Sequence, residues 1–91
     1  MISIKRSTEF KKDFKRLKKR NIKNFVNRFQ FIVSELVSRN CLKSNFQDHT
    51  LSGNWKGYRE CHIFPDIILI YKKDNNVLFL ARVGSHSDIF K

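Results

Sequence analysis

With 91 residues, one Pro, three Gly and 41% hydrophobic side chains, the chain fits one domain over residues 1–91 and leaves no room for a second core. Nineteen Lys and Arg stand against eight Asp and Glu, and the resulting formal charge of +11 points to a polyanion or an acidic protein as partner. The longest apolar run, Ile67 to Tyr71, is too short to cross a bilayer. Cys41 and Cys61 lack CxxC spacing, and with no signal peptide the reading is a reduced, cytoplasmic protein without a disulfide framework.

Ile2 and Ile4 alternate with polar neighbours, which predicts a strand over 2–6. Ser7 or Thr8 caps a helix in which Phe10, Phe14 and Leu17 share a stripe, with Lys residues on the remaining faces. Asn21 or Asn24 caps a second helix, whose Phe25, Phe29, Ile32 and Leu36 keep helical spacing to Val37. Ten of the nineteen basic residues precede residue 24, so the first helix forms a cationic surface. Residues 39–54, with His49 inside, show neither period and read as a functional loop. Trp55 to His62, Ile67 to Lys73 and Val77 to Gly84 then read as three antiparallel strands, joined by turns at Pro65-Asp66 and Asp74-Asn75-Asn76. Ser85 opens a last helical turn.

An antiparallel meander brings the end of its first strand, the start of its second and the end of its third to one rim. His62, Asp66 and His86 occupy those places. The two flanking strands should lie about 10 Å apart, a gap that a ribose and its phosphate can bridge. Alternation on the last strand predicts Val77, Phe79, Ala81 and Val83 under the helices and Leu78, Leu80 and Arg82 on the uncovered face. Cys61 and Arg59 should point toward the helices. His49 is close enough in sequence to reach the rim, and His86 and Phe90 stack at i, i+4 if the last turn is helical.

Metal-independent RNA cleavage needs a base for the 2′-hydroxyl proton, an acid for the leaving 5′-oxygen and a cation for the phosphate. The residues supply candidates: His86 as acid, His62 or Asp66 as base, Arg82 as phosphate clamp and His49 to position or polarise the substrate. The products would be a 2′,3′-cyclic phosphate and a free 5′-hydroxyl. Lys11, Lys12, Lys15 and Lys19 would contact RNA or an acidic partner. Each candidate has a structural rival: Asp66 as a turn residue, Phe90 as a core plug, Arg82 as a strand-surface charge. A zinc site from Cys61, His62, His49 and His86 is discounted, since no spacing matches a ligand motif, and no metal or cofactor is expected. The rival function is a non-catalytic module binding nucleic acid or an acidic peptide.

The segments Asp48-His49-Thr50-Leu51, Trp55-Lys56-Gly57-Tyr58-Arg59-Glu60-Cys61-His62, Pro65-Asp66-Ile67-Ile68-Leu69-Ile70-Tyr71 and Gly84-Ser85-His86-Ser87-Asp88-Ile89-Phe90 resemble the YafQ-type toxins of the RelE/ParE superfamily. The resemblance covers nearly the whole chain and is most specific in the C-terminal half. It implies a small α+β domain of order β-α-α-β-β-β, with two helices on one face of an antiparallel sheet. It also implies an endoribonuclease that cuts mRNA on translating ribosomes, is silenced by a cognate antitoxin, and meets operator DNA only through the antitoxin complex. By the same resemblance His49, His62, Asp66, His86 and Phe90 match catalytic and substrate-contacting positions. The name-giving toxin carries a Trp directly after the turn Asp, where this chain has Ile67; Ile at that substrate-contacting place cannot stack as an indole does. A superfamily member that poisons a DNA enzyme is the third possibility, and the His-rich rim argues against it.

Overall fold

A computed structural model describes residues 3–38 and 48–90. The expectations for Ile2, Cys41 and the loop over 39–47 lie outside the described residues.

The chain runs β1 (Ser3–Arg6), α1 (Thr8–Lys19), α2 (Phe25–Val37), β2 (His49–Thr50), β3 (Arg59–Phe64), β4 (Ile67–Asp74), β5 (Val77–Gly84) and α3 (His86–Ile89). Ser7 caps α1 as expected: its hydroxyl accepts from the Phe10 amide at 2.9 Å and donates to the Ala81 carbonyl at 2.6 Å, tying the helix start to β5. Asn24, not Asn21, precedes α2; its φ of 63° is a left-handed conformation that Asn tolerates better than most residues.

The five strands form one sheet in the order β1-β5-β4-β3-β2. The expected antiparallel meander is present, but β1 pairs with β5 in parallel, so the sheet is mixed. The connection permits this parallel pairing: α1, α2 and the meander separate β1 from β5, and only a path that long can bring two parallel strands side by side. The stretch expected to lack regular structure contributes β2, in which His49 pairs with Glu60 and Thr50 with Arg59. Trp55 to Tyr58, expected to begin a strand, instead forms a tight turn: Gly57 has φ 94° and the Tyr58 amide donates to the Trp55 carbonyl at 3.0 Å.

Both faces of the meander are covered. On one face α1 and α2 bury Phe10, Leu17, Phe25, Ile32 and Leu36 against Cys61, Ile63, Ile67, Leu69, Tyr71, Leu78, Leu80 and Val83. The rings of Phe10, Phe14, Phe25 and Phe29 pack at centroid distances of 4.9–6.3 Å, contacts that add about 0.5–1.5 kcal/mol per pair beyond the area they bury. On the other face Ile68, Ile70 and Ala81 lie under Leu51, Trp55, Tyr58, Phe79 and Ile89.

This two-sided cover corrects the expected faces of β5. Leu78, Leu80 and Val83 point to the helices, while Phe79 and Ala81 point away. Because both rows are apolar, hydrophobicity does not choose between them. A bulge interrupts the alternation: Arg82 pairs with Ile70 and Leu80 with Tyr71, so Ala81 is the extra residue. From its place opposite Ile70 the long Arg82 side chain nevertheless reaches α1. Its Nε and Nη2 donate to the two Asp13 carboxylate oxygens at 2.6 and 3.2 Å. Asp13 also accepts from the Val83 amide at 3.3 Å and from Arg16 at 3.0 Å. The bond to Asp13 holds the Arg82 guanidinium above its already high pKa. Arg59, expected to point to the helices in an ion pair, meets Asp48 at 3.0 Å, and the Tyr71 hydroxyl donates to the same carboxylate at 2.8 Å.

Asp13 is 2% exposed. Replacing it with Ala leaves the Arg82 guanidinium and the Val83 amide without their acceptor, and urea denaturation should show a loss of about 3 kcal/mol. Tyr71 yields a test against pH. Burial first, and then the hydrogen bond to Asp48, push its phenol well above the usual range. A pKa raised on folding means that the neutral phenol's contribution is complete below about pH 10, the unfolded value, and fades as pH rises toward the folded one. The wild type should lose more stability than Tyr71→Phe between pH 9 and about pH 11, read as the difference between their urea midpoints.

Candidate active site

The rim expected from strand order exists. His62 on β3 and Gly84 at the end of β5 both lie opposite Ile68 of β4, so β3 and β5 deliver their ends to the two sides of one residue. Ser85 then caps α3, its hydroxyl accepting from the Asp88 amide at 3.1 Å, while hydrogen bonding from the Ser85 side chain to the Asp88 carboxylate holds that carboxyl below its usual range. His86 is the first residue of that helical turn. Its ring sits 5.7 Å from the ring of His62, closer than the strand spacing alone would place them, because the turn folds back over the sheet. Phe90 stacks on His86 at 5.8 Å and 27°, as the i, i+4 spacing predicted, and Trp55 meets Phe90 edge-on at 6.4 Å.

The hub of the site is a residue to which the sequence analysis gave no role. The Glu60 side chain is 5% exposed, and three imidazoles surround its carboxylate. His49 Nε2 lies 3.2 Å from Oε2, His62 Nε2 3.7 Å from Oε2, and His86 Nε2 3.3 Å from each oxygen. These rings come from β2, β3 and α3. The signal available in the sequence was Glu60-Cys61-His62, in which the acid and the imidazole share a strand face. The ligand atoms of Glu60, His62 and His86 lie within 4.8 Å of one another, a spacing that would also accept a cation.

His49 and His86 are about half exposed and His62 is 15% exposed, so the rings form a wall open to solvent over a buried carboxylate. Cys61 points the other way into the helix-side core. Burial, with smaller contributions from Asp48 and Glu60, pushes its thiol far up, which removes it as a nucleophile.

The remaining candidates separate. Asp66 is exposed in the two-residue turn between β3 and β4 and is not part of the Glu60 cluster. Ile67, expected among the substrate contacts, is 3% exposed in the helix-side core. Ile67 alternates regularly with Leu69 and Tyr71 on the helix-facing row of β4, and that turns its side chain inward. Arg82 is engaged by Asp13, as above. Lys11, Lys12, Lys15 and Lys19 are all exposed on α1. Lys11, Lys15 and Lys19 border a groove of about 460 Å³ together with Arg6 and Lys18, over Phe10 and Phe14. Among the described residues no helix is long and apolar enough to cross a membrane.

Comparison with known proteins agrees with this architecture. The chain is 36% identical over 88 residues to the mRNA interferase toxin YafQ of Escherichia coli K12, covering 96% of this chain and 94% of that protein. The crystal structure of YafQ from E. coli BL21(DE3) superposes with a TM-score of 0.91 at 34% identity, covering 100% of both chains. The E. coli DinJ-YafQ complex superposes with a TM-score of 0.89 at 35% identity, again over 100% of both chains. Residues 2–91 match the family described as bacterial toxin of type II toxin-antitoxin system, YafQ, and the chain belongs to that family.

Proposed function

We propose that this protein is a toxin that cuts mRNA without a metal, on the translating ribosome, and is neutralised by a cognate antitoxin. The observation that carries the reading is the convergence of His49, His62 and His86, from three separate elements, beside the exposed Phe90 ring. A binding module has no use for three imidazoles gathered at a solvent-open rim, whereas phosphodiester cleavage uses two proton-transfer groups on opposite sides of one phosphate. The relatives point the same way: the E. coli homologue is an mRNA interferase, and its structure has been determined with DinJ.

The chemistry balances on this chain's own side chains. A base takes the 2′-hydroxyl proton, the 2′-oxygen bonds to phosphorus, and the P–O5′ bond breaks as His86 gives its proton to the departing oxygen. The ends are a 2′,3′-cyclic phosphate and a 5′-hydroxyl. His62, 15% exposed and 5.7 Å from His86 between ring centroids, is the better placed base, and Asp66, exposed in its turn, is the weaker candidate. His49 flanks the substrate at the β2 edge, and Phe90 offers a plate on which a base stacks. Arg82, paired with Asp13, supports the rim instead of clamping phosphate. With Arg82 so engaged, imidazolium carries the electrostatic part of catalysis.

The groove on α1 suits an acidic partner: two Phe side chains give it an apolar lining, and Arg6, Lys11, Lys15, Lys18 and Lys19 surround them with positive charge. Either the antitoxin or ribosomal RNA meets that description, in the cytoplasm where translation runs. Operator DNA would be reached through the antitoxin.

Purified protein added to translating ribosomes should cut mRNA in EDTA, and His86→Ala should lower the rate by about 10²–10⁴ while circular dichroism stays unchanged. Undiminished cutting by the folded variant would remove His86 as the acid. Replacing Lys11, Lys12, Lys15 and Lys19 by Ala should weaken RNA or antitoxin binding. If RNA is the ligand, its log–log salt slope should fall by roughly 0.7–0.9 for each phosphate that the variant no longer neutralises.

A further inference from the structure

We propose that Glu60 is the positioning residue of this site: its buried carboxylate fixes which nitrogen of His86 carries the proton, so that His86 gives its proton to RNA through Nδ1. The inference rests on the ribonuclease reading above and deepens it.

Glu60 is 4% exposed, and a carboxylate taken out of water costs several kcal/mol unless donors surround it. Here the facing groups are imidazole nitrogens: His86 Nε2 is hydrogen-bonded at 3.3 Å, and His49 Nε2 at 3.2 Å and His62 Nε2 at 3.7 Å stand beside it. The backbone neighbour Cys61 points to the opposite face, and the strand partner Ile70 brings no charge. An ionised carboxylate only accepts hydrogen bonds, so a ring that hydrogen-bonds to it through Nε2 must carry the proton there. The other nitrogen, Nδ1, is then bare in the neutral ring and protonated in the cation. It is the one position on the His86 ring from which a proton can be given to a 5′-oxygen. The arrangement resembles the general logic by which a buried acid orients a catalytic imidazole. Burial also explains why Glu60 is not the base: three rings stand between its oxygens and solvent, so a 2′-hydroxyl meets an imidazole first.

The position is sensitive to geometry as well as to charge. His49 sits directly across the β2–β3 pair from Glu60, and His86 arrives from a turn of four residues. His86 is a half-exposed ring stacked on Phe90, and the hydrogen bond to Glu60 adds a fixed direction to that contact.

The test combines steady-state mRNA cleavage on ribosomes with long-range 15N–1H spectra of histidine-labelled protein, for wild type, Glu60→Gln and Glu60→Asp. Wild-type His86 should show Nε2 protonated. Glu60→Gln keeps the shape and loses the charge. It should mix the tautomers and lower kcat at least tenfold with KM within twofold, at an unchanged melting temperature, and Glu60→Asp should recover part of both signals. Wild-type kcat in folded Glu60→Gln would overturn the proposal, as would ring tautomers that do not change with the substitution. If Glu60→Gln fails to fold, the wild-type spectrum decides alone: a His86 proton on Nδ1 with Nε2 bare sinks the idea. Wild-type protein that cuts no mRNA counts against the ribonuclease reading instead, and the spectra still report separately on Glu60.

Discussion

The structure depends on β4 being buried on both faces. Ile67, Leu69 and Tyr71 enter the helix-side core while Ile68 and Ile70 enter the smaller cluster opposite, and all five are at most 3% exposed. A strand whose two rows are both apolar has to be central, with partners on each edge and cover on each face. That requirement makes β3 and β5 its neighbours and gives α3, Trp55 and Tyr58 a surface to pack on. The chemistry follows from the same constraint. His62 and Gly84 both lie beside Ile68, so the register that buries β4 also brings β3 and the approach to α3 together at one end.

Electrostatics divides the molecule by face. The groove on α1 collects Arg6, Lys11, Lys15, Lys18 and Lys19, and these solvated charges add little to folding but draw in an anionic partner over distances near the Debye length. The two buried carboxylates act locally instead. Asp13 gathers Arg16, Arg82 and the Val83 amide, locking α1 to the end of β5, and Glu60 gathers the imidazoles. In a chain of formal charge +11, each of the two acids buried among the described residues is saturated by partners, as the cost of burying an anion demands.

Much of the fold was legible in the sequence because it is written in periodicity. Phe10, Phe14 and Leu17 marked α1, the stripe from Phe25 to Leu36 marked α2, and strand order alone was enough to bring His62 and His86 to one rim. What was not legible depended on which row the helices cover, on side-chain reach and on very short elements. Ile67 faces inward because the Ile67-Leu69-Tyr71 row is the one under the helices, and no local pattern shows that Arg82 reaches back to Asp13 on α1. β2 is two residues long, too short for any period to show, yet it delivers His49 to Glu60. Glu60 itself was hidden by composition: between Arg59 and Cys61 on a polar row, a glutamate reads as surface unless the histidines closing over it from β2 and α3 are already known.

That last point bears on how the site is divided between fold and function. The three histidines are separated by as many as 37 residues, and only β2–β3 pairing, the β3–β4–β5 register and the Ser85 cap bring them together. The strand pairings are backbone features that tolerate wide changes of side chain, and the cap needs only the hydroxyl of Ser85. Among the described residues Glu60 alone meets all three rings. The backbone therefore sets where the imidazoles arrive, and one carboxylate sits where they meet.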